Sequence, residues 1–284
     1  MDVIERRIMP DELPNFNECF IVGSAAEVTP VAEIGPYRFK PGHYRDRTLF
    51  TQLASASMFR CMTRIARIVA PGLPHHVTQR GNHRAAMFFE AGDSRLYRDL
   101  LAAETRAAHV AVWAWVLMPN HVHLILVPSD ETGLAGALGR VHRRYAAYVN
   151  ARARRTGHLV QERFGSVVMD EAHLMAGLRY VALNPVRAKL VAKAEDWPWS
   201  SVAAQLGLVD DGLTLTGPVA ARVPNFADLL GQPEDEADFG ALRRAEGHGR
   251  PLGSPAFVKA LEIRLGRSIL PRKRGPKAKQ IGEL

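Results

Sequence analysis

The chain has 284 residues, room for one or two domains, and 47 % of them are apolar, which excludes wholesale disorder. Thirty-seven Lys and Arg oppose 29 Asp and Glu, a net charge of +8 that favours a polyanionic partner such as nucleic acid. Two cysteines, Cys19 and Cys61, exclude a disulfide framework and a CxxC pair, and no run of 18 apolar residues offers a spanning helix.

A reducing cytoplasm fits this cysteine usage, and the opening Met1-Asp-Val-Ile-Glu5 lacks the charged-then-apolar order of a signal peptide. Residues 1–61 read as an irregular extension, punctuated by Pro10, Pro14, Pro30, Pro36 and Pro41. Met58 and Met62 are candidate alternative starts, because firm patterning begins only at Ile65. The stretch 74–82 (PHHVTQRGN) reads as a strand ending in a Gly-Asn turn. Asp93 reads as a helix cap, with Leu96, Leu100, Leu101 and Ala108 following at helical spacing. Residues 110–118 (VAVWAWVLM) and 121–127 (HVHLILV) are β-rich runs broken by Pro119-Asn120, lying side by side or as one bent hairpin. A helix is expected from Gly133 to about Arg155, a strand near 167–169, and a helix from Glu171 to Leu183 stopped by Asn184-Pro185. This order suits an α+β domain over 62–206, a ferredoxin-like antiparallel sheet with helices on one face. Residues 207–284 read as a helical C-terminal region, with helices near 237–245 and 255–265 and a basic tail over 271–279. The helix pair is either a helix-turn-helix-like unit with a basic arm or a solvated tail.

His121-Val-His123 falls in a strand-like run, so both imidazoles point to one face and can reach one ion. Two neutral imidazoles suit a divalent metal but leave its shell incomplete. Tyr180 and Asn184 are spaced i, i+4 on a helix, so the amide oxygen could complete the shell with the phenol beside it. Each feature also has an ordinary reading: surface histidines alternating with apolar neighbours, a core-edge tyrosine, an asparagine stopping a helix before proline.

Residues 118–124 (MPNHVHL) with 179–187 (RYVALNPVR) resemble the HUH single-tyrosine transposases, most closely those associated with repetitive extragenic palindromes. The stretches 74–82 and 156–164 (TGHLVQERF) are also similar to that family, and the resemblance covers about half the chain, residues 62–206. It implies that His121 and His123 bind Mg²⁺ or Mn²⁺, with Asn184 at the position of a further polar ligand where many relatives carry Gln. It also implies that Tyr180 is the nucleophile, cutting and rejoining single-stranded or hairpin DNA through a 5′-phosphotyrosine. Members act as monomers or as homodimers.

Between Thr132 and Gln161 there is no acid but there are six arginines: Arg140, Arg143, Arg144, Arg152, Arg154 and Arg155. They are candidate DNA contacts, since the guanidinium fork pairs with phosphates and stacks on bases. Arg163 and Arg187, close to two of the motif stretches, are candidates for the scissile phosphate. Tyr145 and Tyr148 are rival nucleophiles, but each is followed four residues on by Val149 and Arg152 rather than by a metal ligand. Two other functions compete: a non-catalytic, domesticated DNA-binding relative, and a hydrolytic metallonuclease using Zn²⁺-bound water. The last would need a third His, Cys or carboxylate near the histidine pair.

Overall fold

The computed structural model describes residues 67–269 except Glu234 and Asp235, together with Asn15 and four short strands within residues 1–66. The chain divides into two compact units, Met1–Ala66 and Arg67–Leu284. The basic tail over 271–279 and the candidate starts Met58 and Met62 lie outside the described residues.

The first unit is not wholly irregular as its prolines suggest. Strands β1 (Phe20–Gly23) and β2 (Ala26–Pro30) pair antiparallel, as do β3 (Glu33–Ile34) and β4 (Tyr37–Arg38). Pro30 ends its strand, a position where proline spoils no interior ladder bond.

The second unit is built on one four-stranded sheet. Its strands are β5 (His75–Arg80), β6 (Val110–Met118), β7 (His121–Pro128) and β8 (Gly165–Val168), in spatial order β6-β7-β5-β8 with every neighbour antiparallel. Helix α1 (Ala91–Ala107) connects β5 to β6, α2 (Gly133–Arg152) connects β7 to β8, and α3 (Glu171–Arg187) follows β8. This is the ferredoxin-like α+β order that the sequence predicts. Met118 pairs with His121, so Pro119-Asn120 is a two-residue hairpin loop.

Alternation along β7 explains why its run is almost entirely apolar. Val122, Leu124 and Leu126 point to one face, where they meet Leu100 and Leu101 of α1 and Leu134, Leu138 and Val141 of α2. Ile125 points to the other, where it meets Leu174, Leu178 and Val181 of α3. The helices therefore lie on both faces of the sheet, not on one as expected. A sheet apolar on both sides needs two covers, which is the physical reason for the correction.

Helix ends differ from the sequence reading in two places. Glu90 rather than Asp93 caps α1; Asp93 sits inside the first turn and accepts the backbone N–H groups of Phe89 and Glu90 at 2.9 and 3.2 Å. Helix α3 runs through Asn184-Pro185 to Arg187 instead of stopping there. Proline removes only its own donor, and the following turn is closed by Ala188 N–H to Asn184 O and Leu190 N–H to Pro185 O, both 2.9 Å.

Beyond Ala188 the chain wraps the same core rather than forming a separate domain. Short helices α4 (Val202–Gln205), α5 (Gly217–Ala220) and α6 (Phe226–Gly231) lead to α7 (Glu236–His248) and α8 (Pro255–Leu265). Phe226, Leu229, Phe239 and Leu242 join the α3 face, while Leu261 packs on Ile68 and Val168. The last two helices are thus pinned to different parts of the core, which is not the arrangement of a helix-turn-helix unit.

The outer edge of β6 is closed by residues 197–215. Leu117 N–H donates to Trp199 O, Ser201 N–H to Trp115 O, and Leu215 N–H to Val112 O, at 2.9, 2.9 and 2.7 Å. No helix among the described residues is long and apolar enough to cross a membrane.

Candidate functional site

The site lies on the α3 face, near the end of the sheet where β5 stops at Arg80 and β7 starts at His121. Register places Thr78 opposite His123 and His76 opposite Ile125, so His76 shares a face with His123. Their rings are stacked, 5.2 Å between centroids and 10° apart, with His76 Nε2 3.0 Å from His123 Nδ1. His121 follows at 4.9 Å from His123, nearly perpendicular. The same-face placement of His121 and His123 is as their spacing predicts.

Burial keeps these rings uncharged. It pulls His76 and His121 down to about 4, with Arg80 adding to the effect on His121, and it pushes His123 well below the usual imidazole range. Neutral imidazole is the metal-binding form. Asn120 also fixes which nitrogen of His121 is free: its Nδ2 donates to Arg84 O at 3.0 Å, so its Oδ1 faces His121 Nδ1 at 2.6 Å. A carboxamide oxygen only accepts, so Nδ1 carries the proton and the lone pair of His121 sits on Nε2.

Helix α3 brings Tyr180 to this cluster. It approaches the sheet closely at Gly177, where an added Cβ would lie 3.1 Å from Met169 Sδ and 3.5 Å from Ile125 Cδ1. The Tyr180 ring stands edge-on to His123 at 5.2 Å and to His76 at 5.8 Å. It is 6 % exposed, covered partly by Phe239 of α7 at 5.4 Å. Burial, assisted by the Glu246 carboxylate, pushes its phenol up to about 12, while Arg187, Arg243 and Arg80 pull the other way. The Arg187 guanidinium stands over the Tyr180 ring at 5.7 Å.

Glu246 escapes a reading of the sequence alone, whereas His76 is one of five further histidines, with His75, His142, His158 and His173, that the sequence offers as a third ligand. One group of His, Cys, Asp and Glu side chains among the described residues converges tightly enough to hold a metal: His76, His123 and Glu246, with ligand atoms within 4.8 Å of one another. Glu246 Oε1 lies 3.9 Å from His76 Nδ1 and 3.8 Å from His123 Nδ1. Burial pushes this carboxyl up to about 7 against the opposing pull of Arg80 and Arg243. Asn184, expected as a ligand, is half-buried one turn beyond Tyr180, and its side chain has no hydrogen-bond partner among the described residues.

The rival tyrosines belong to the opposite face. Tyr145 is fully buried and donates its hydroxyl to Met87 O at 2.7 Å, while Tyr148 lies on the exposed side of α2. The arginines of α2 are not one free basic face either. Arg140 and Arg144 both bond to Glu104, and Arg152 bonds to Asp93, acids that α1 supplies. Arg155 reaches Asn150 at 3.3 Å and stands over Phe89 at 5.5 Å. Arg143, Arg154 and Arg163 are exposed.

No family model matches the chain, and no curated protein matches it either. Among solved structures it is similar to a tyrosine transposase associated with repetitive extragenic palindromes, bound to a hairpin of that type. The identity is 19 %, with 52 % of this chain and 89 % of that one covered and a TM-score of 0.45. It is also similar to a Deinococcus radiodurans protein described as a candidate transposase, at 18 % identity, 47 % and 97 % coverage and a TM-score of 0.30.

Proposed function

We propose that this protein is a DNA transposase-type nuclease that cuts and rejoins single-stranded or hairpin DNA, with Tyr180 as nucleophile. The observation that carries the reading is the edge-on contact of Tyr180 with His123 and His76, in a chain whose separated motifs resemble the HUH transposases. By the resemblance, His121, His123 and Asn184 are the residues that would hold a divalent ion, Mg²⁺ or Mn²⁺, which would supply a positive field favouring phenolate. That field has work to do, since the buried phenol resists ionisation.

Attack by the Tyr180 oxygen forms a bond to phosphorus while the bond to the 3′ oxygen breaks. The phenolic proton leaves to water, and the departing 3′ oxygen takes one up as a hydroxyl. The 5′-phosphotyrosine retains the phosphodiester energy, so a second 3′-hydroxyl can reseal the strand without a nucleotide cofactor. Arg187, already over the phenol ring, is suited to the scissile phosphate.

A second reading is favoured by one specific observation. A hydrolytic metallonuclease requires a third His or carboxylate near the histidine pair, and His76 and Glu246 supply both. Incubation with labelled hairpin DNA and Mg²⁺ or Mn²⁺ separates the readings. The expected result is a denaturation-resistant protein–DNA adduct, mapped to Tyr180 and lost in Tyr180→Phe. Cutting that leaves no adduct and survives Tyr180→Phe would overturn the proposal in favour of hydrolysis. DNA binding without any cutting would point to a non-catalytic relative.

A further inference from the structure

Helix α7 presses Phe239, itself fully buried, against Tyr180 and Arg187, and carries Glu246 to the histidines two turns further on. The polar atoms at that meeting point are not satisfied. His76 Nδ1 and Glu246 Oε1 are buried and have no hydrogen-bond partner, although they face each other across 3.9 Å. Leaving such atoms unpaired is costly, and the gap is too long for a hydrogen bond. A cation between them answers both atoms at once and takes in His123 Nδ1, which lies 3.8 Å from the same carboxylate oxygen.

We propose that His76, His123 and Glu246 form the metal site of this protein and that the bound ion clamps α7 onto the catalytic face. The ligands come from β5, β7 and α7, so the site exists only while α7 is seated. Two imidazoles and one carboxylate suit Mn²⁺, Zn²⁺ or a similar transition ion, whereas Mg²⁺ prefers an all-oxygen shell rich in water. Ligation by His123 Nδ1 replaces the hydrogen bond that joins the two rings. This assignment puts His76 and Glu246 in the places first given to His121 and Asn184. It holds whether Tyr180 or water attacks.

Titration calorimetry with Mn²⁺ and no DNA tests the site, so that failure here leaves the adduct experiment untouched. Wild-type protein is expected to bind one ion, and Glu246→Gln or His76→Gln to weaken binding by about tenfold or more, given that supporting groups alone reach that effect. His121→Gln is expected to change it less than either. Loss of binding in His121→Gln with wild-type affinity in the other two would overturn the assignment, as would no binding of Mn²⁺ or Zn²⁺ to the wild type. Tryptic cleavage after Arg243 and Arg244 tests the clamp and reports whether each variant is folded. Mn²⁺ should slow that cleavage in the wild type but not in Glu246→Gln. Phe239→Ala, which loosens α7 without touching a ligand, should weaken Mn²⁺ binding; wild-type affinity there would refute the coupling.

Discussion

The two faces of the sheet treat buried titratable groups in opposite ways. On the α1–α2 face, Asp93 is fully buried yet accepts two backbone N–H groups and the Arg152 guanidinium. Glu104 is held by Arg140 and Arg144, and the Tyr97 hydroxyl lies 2.9 Å from His142 Nε2. On the α3–α7 face the titratable atoms His76 Nδ1, Arg179 Nε and Glu246 Oε1 are buried without partners, whereas the unpaired buried atoms on the α1–α2 side, Gln79 Oε1 and Ser166 Oγ, belong to groups that never carry a charge. Saturated networks rigidify a fold, while unsaturated ones mark where a protein keeps capacity for something else. The first face has the character of scaffold, and the second carries the candidate site.

The sharpest way to break that contrast is to exchange one hydroxyl on each side. Tyr180→Phe is expected to abolish the covalent adduct, while Tyr145→Phe keeps it. Tyr145→Phe should instead cost stability, about 1–3 kcal/mol, because Met87 O loses its donor in a buried setting. Denaturing gels and urea midpoints on both variants read the two effects separately. If the adduct maps to Tyr145 or Tyr148, the assignment of the faces is reversed.

His123→Ala is the next largest effect, an expected loss of cleavage at saturating DNA with most DNA affinity retained. Filter binding beside the cleavage assay measures both. Unchanged cleavage would remove His123 from the site.

On the scaffold face, Asp93→Ala should lower stability by about 2 kcal/mol through loss of its box contacts and its arginine partner, without altering metal affinity. Acid should expose the same face. Burial holds His142 at about 4, below its ordinary 6.5, so the folded state binds that proton less readily than the unfolded chain. Its contribution is therefore complete above pH 6.5 and is lost as pH falls toward 4, on the order of 2 kcal/mol by pH 5. Urea midpoints at pH 7 and 5 for wild type and His142→Gln check this, and equal pH slopes would remove His142 as the cause.

The smallest effect concerns salt. Arg143 is exposed on α2, so Arg143→Ala should reduce the log–log salt slope of DNA binding by about 0.7 if it meets a single strand. Arg144, tied to Glu104, should change it less.

Local sequence was a good guide where one element decides the outcome. The strand parity of His121 and His123, the two-residue loop at Pro119-Asn120 and the helical placement of Tyr180 are all properties of a few adjacent residues. Interactions between elements were invisible. The acid-free window from 133 to 160 suggested a free basic helix because Asp93 and Glu104, which neutralise it, are about 40 to 60 residues upstream. His76 could be suspected as one of several spare histidines, but only β5–β7 register decides that it faces His123 rather than the other side. Nothing local marks Glu246, an ordinary glutamate on an amphipathic helix until tertiary packing carries it to the histidines.

The closing of β6 by residues 197–215 bears on how copies of the chain could assemble. A nine-residue strand this apolar would, with its edge open, be a template for strand addition by a second copy. Its outward groups at Val112, Trp115 and Leu117 are instead engaged by Leu215, Ser201 and Trp199 of the same chain. Continuous sheet across a homodimer is therefore closed at this edge unless that segment is first peeled away. A chain cut short before Trp197 would expose the strand and aggregate, even with every residue of the histidine–tyrosine cluster in place.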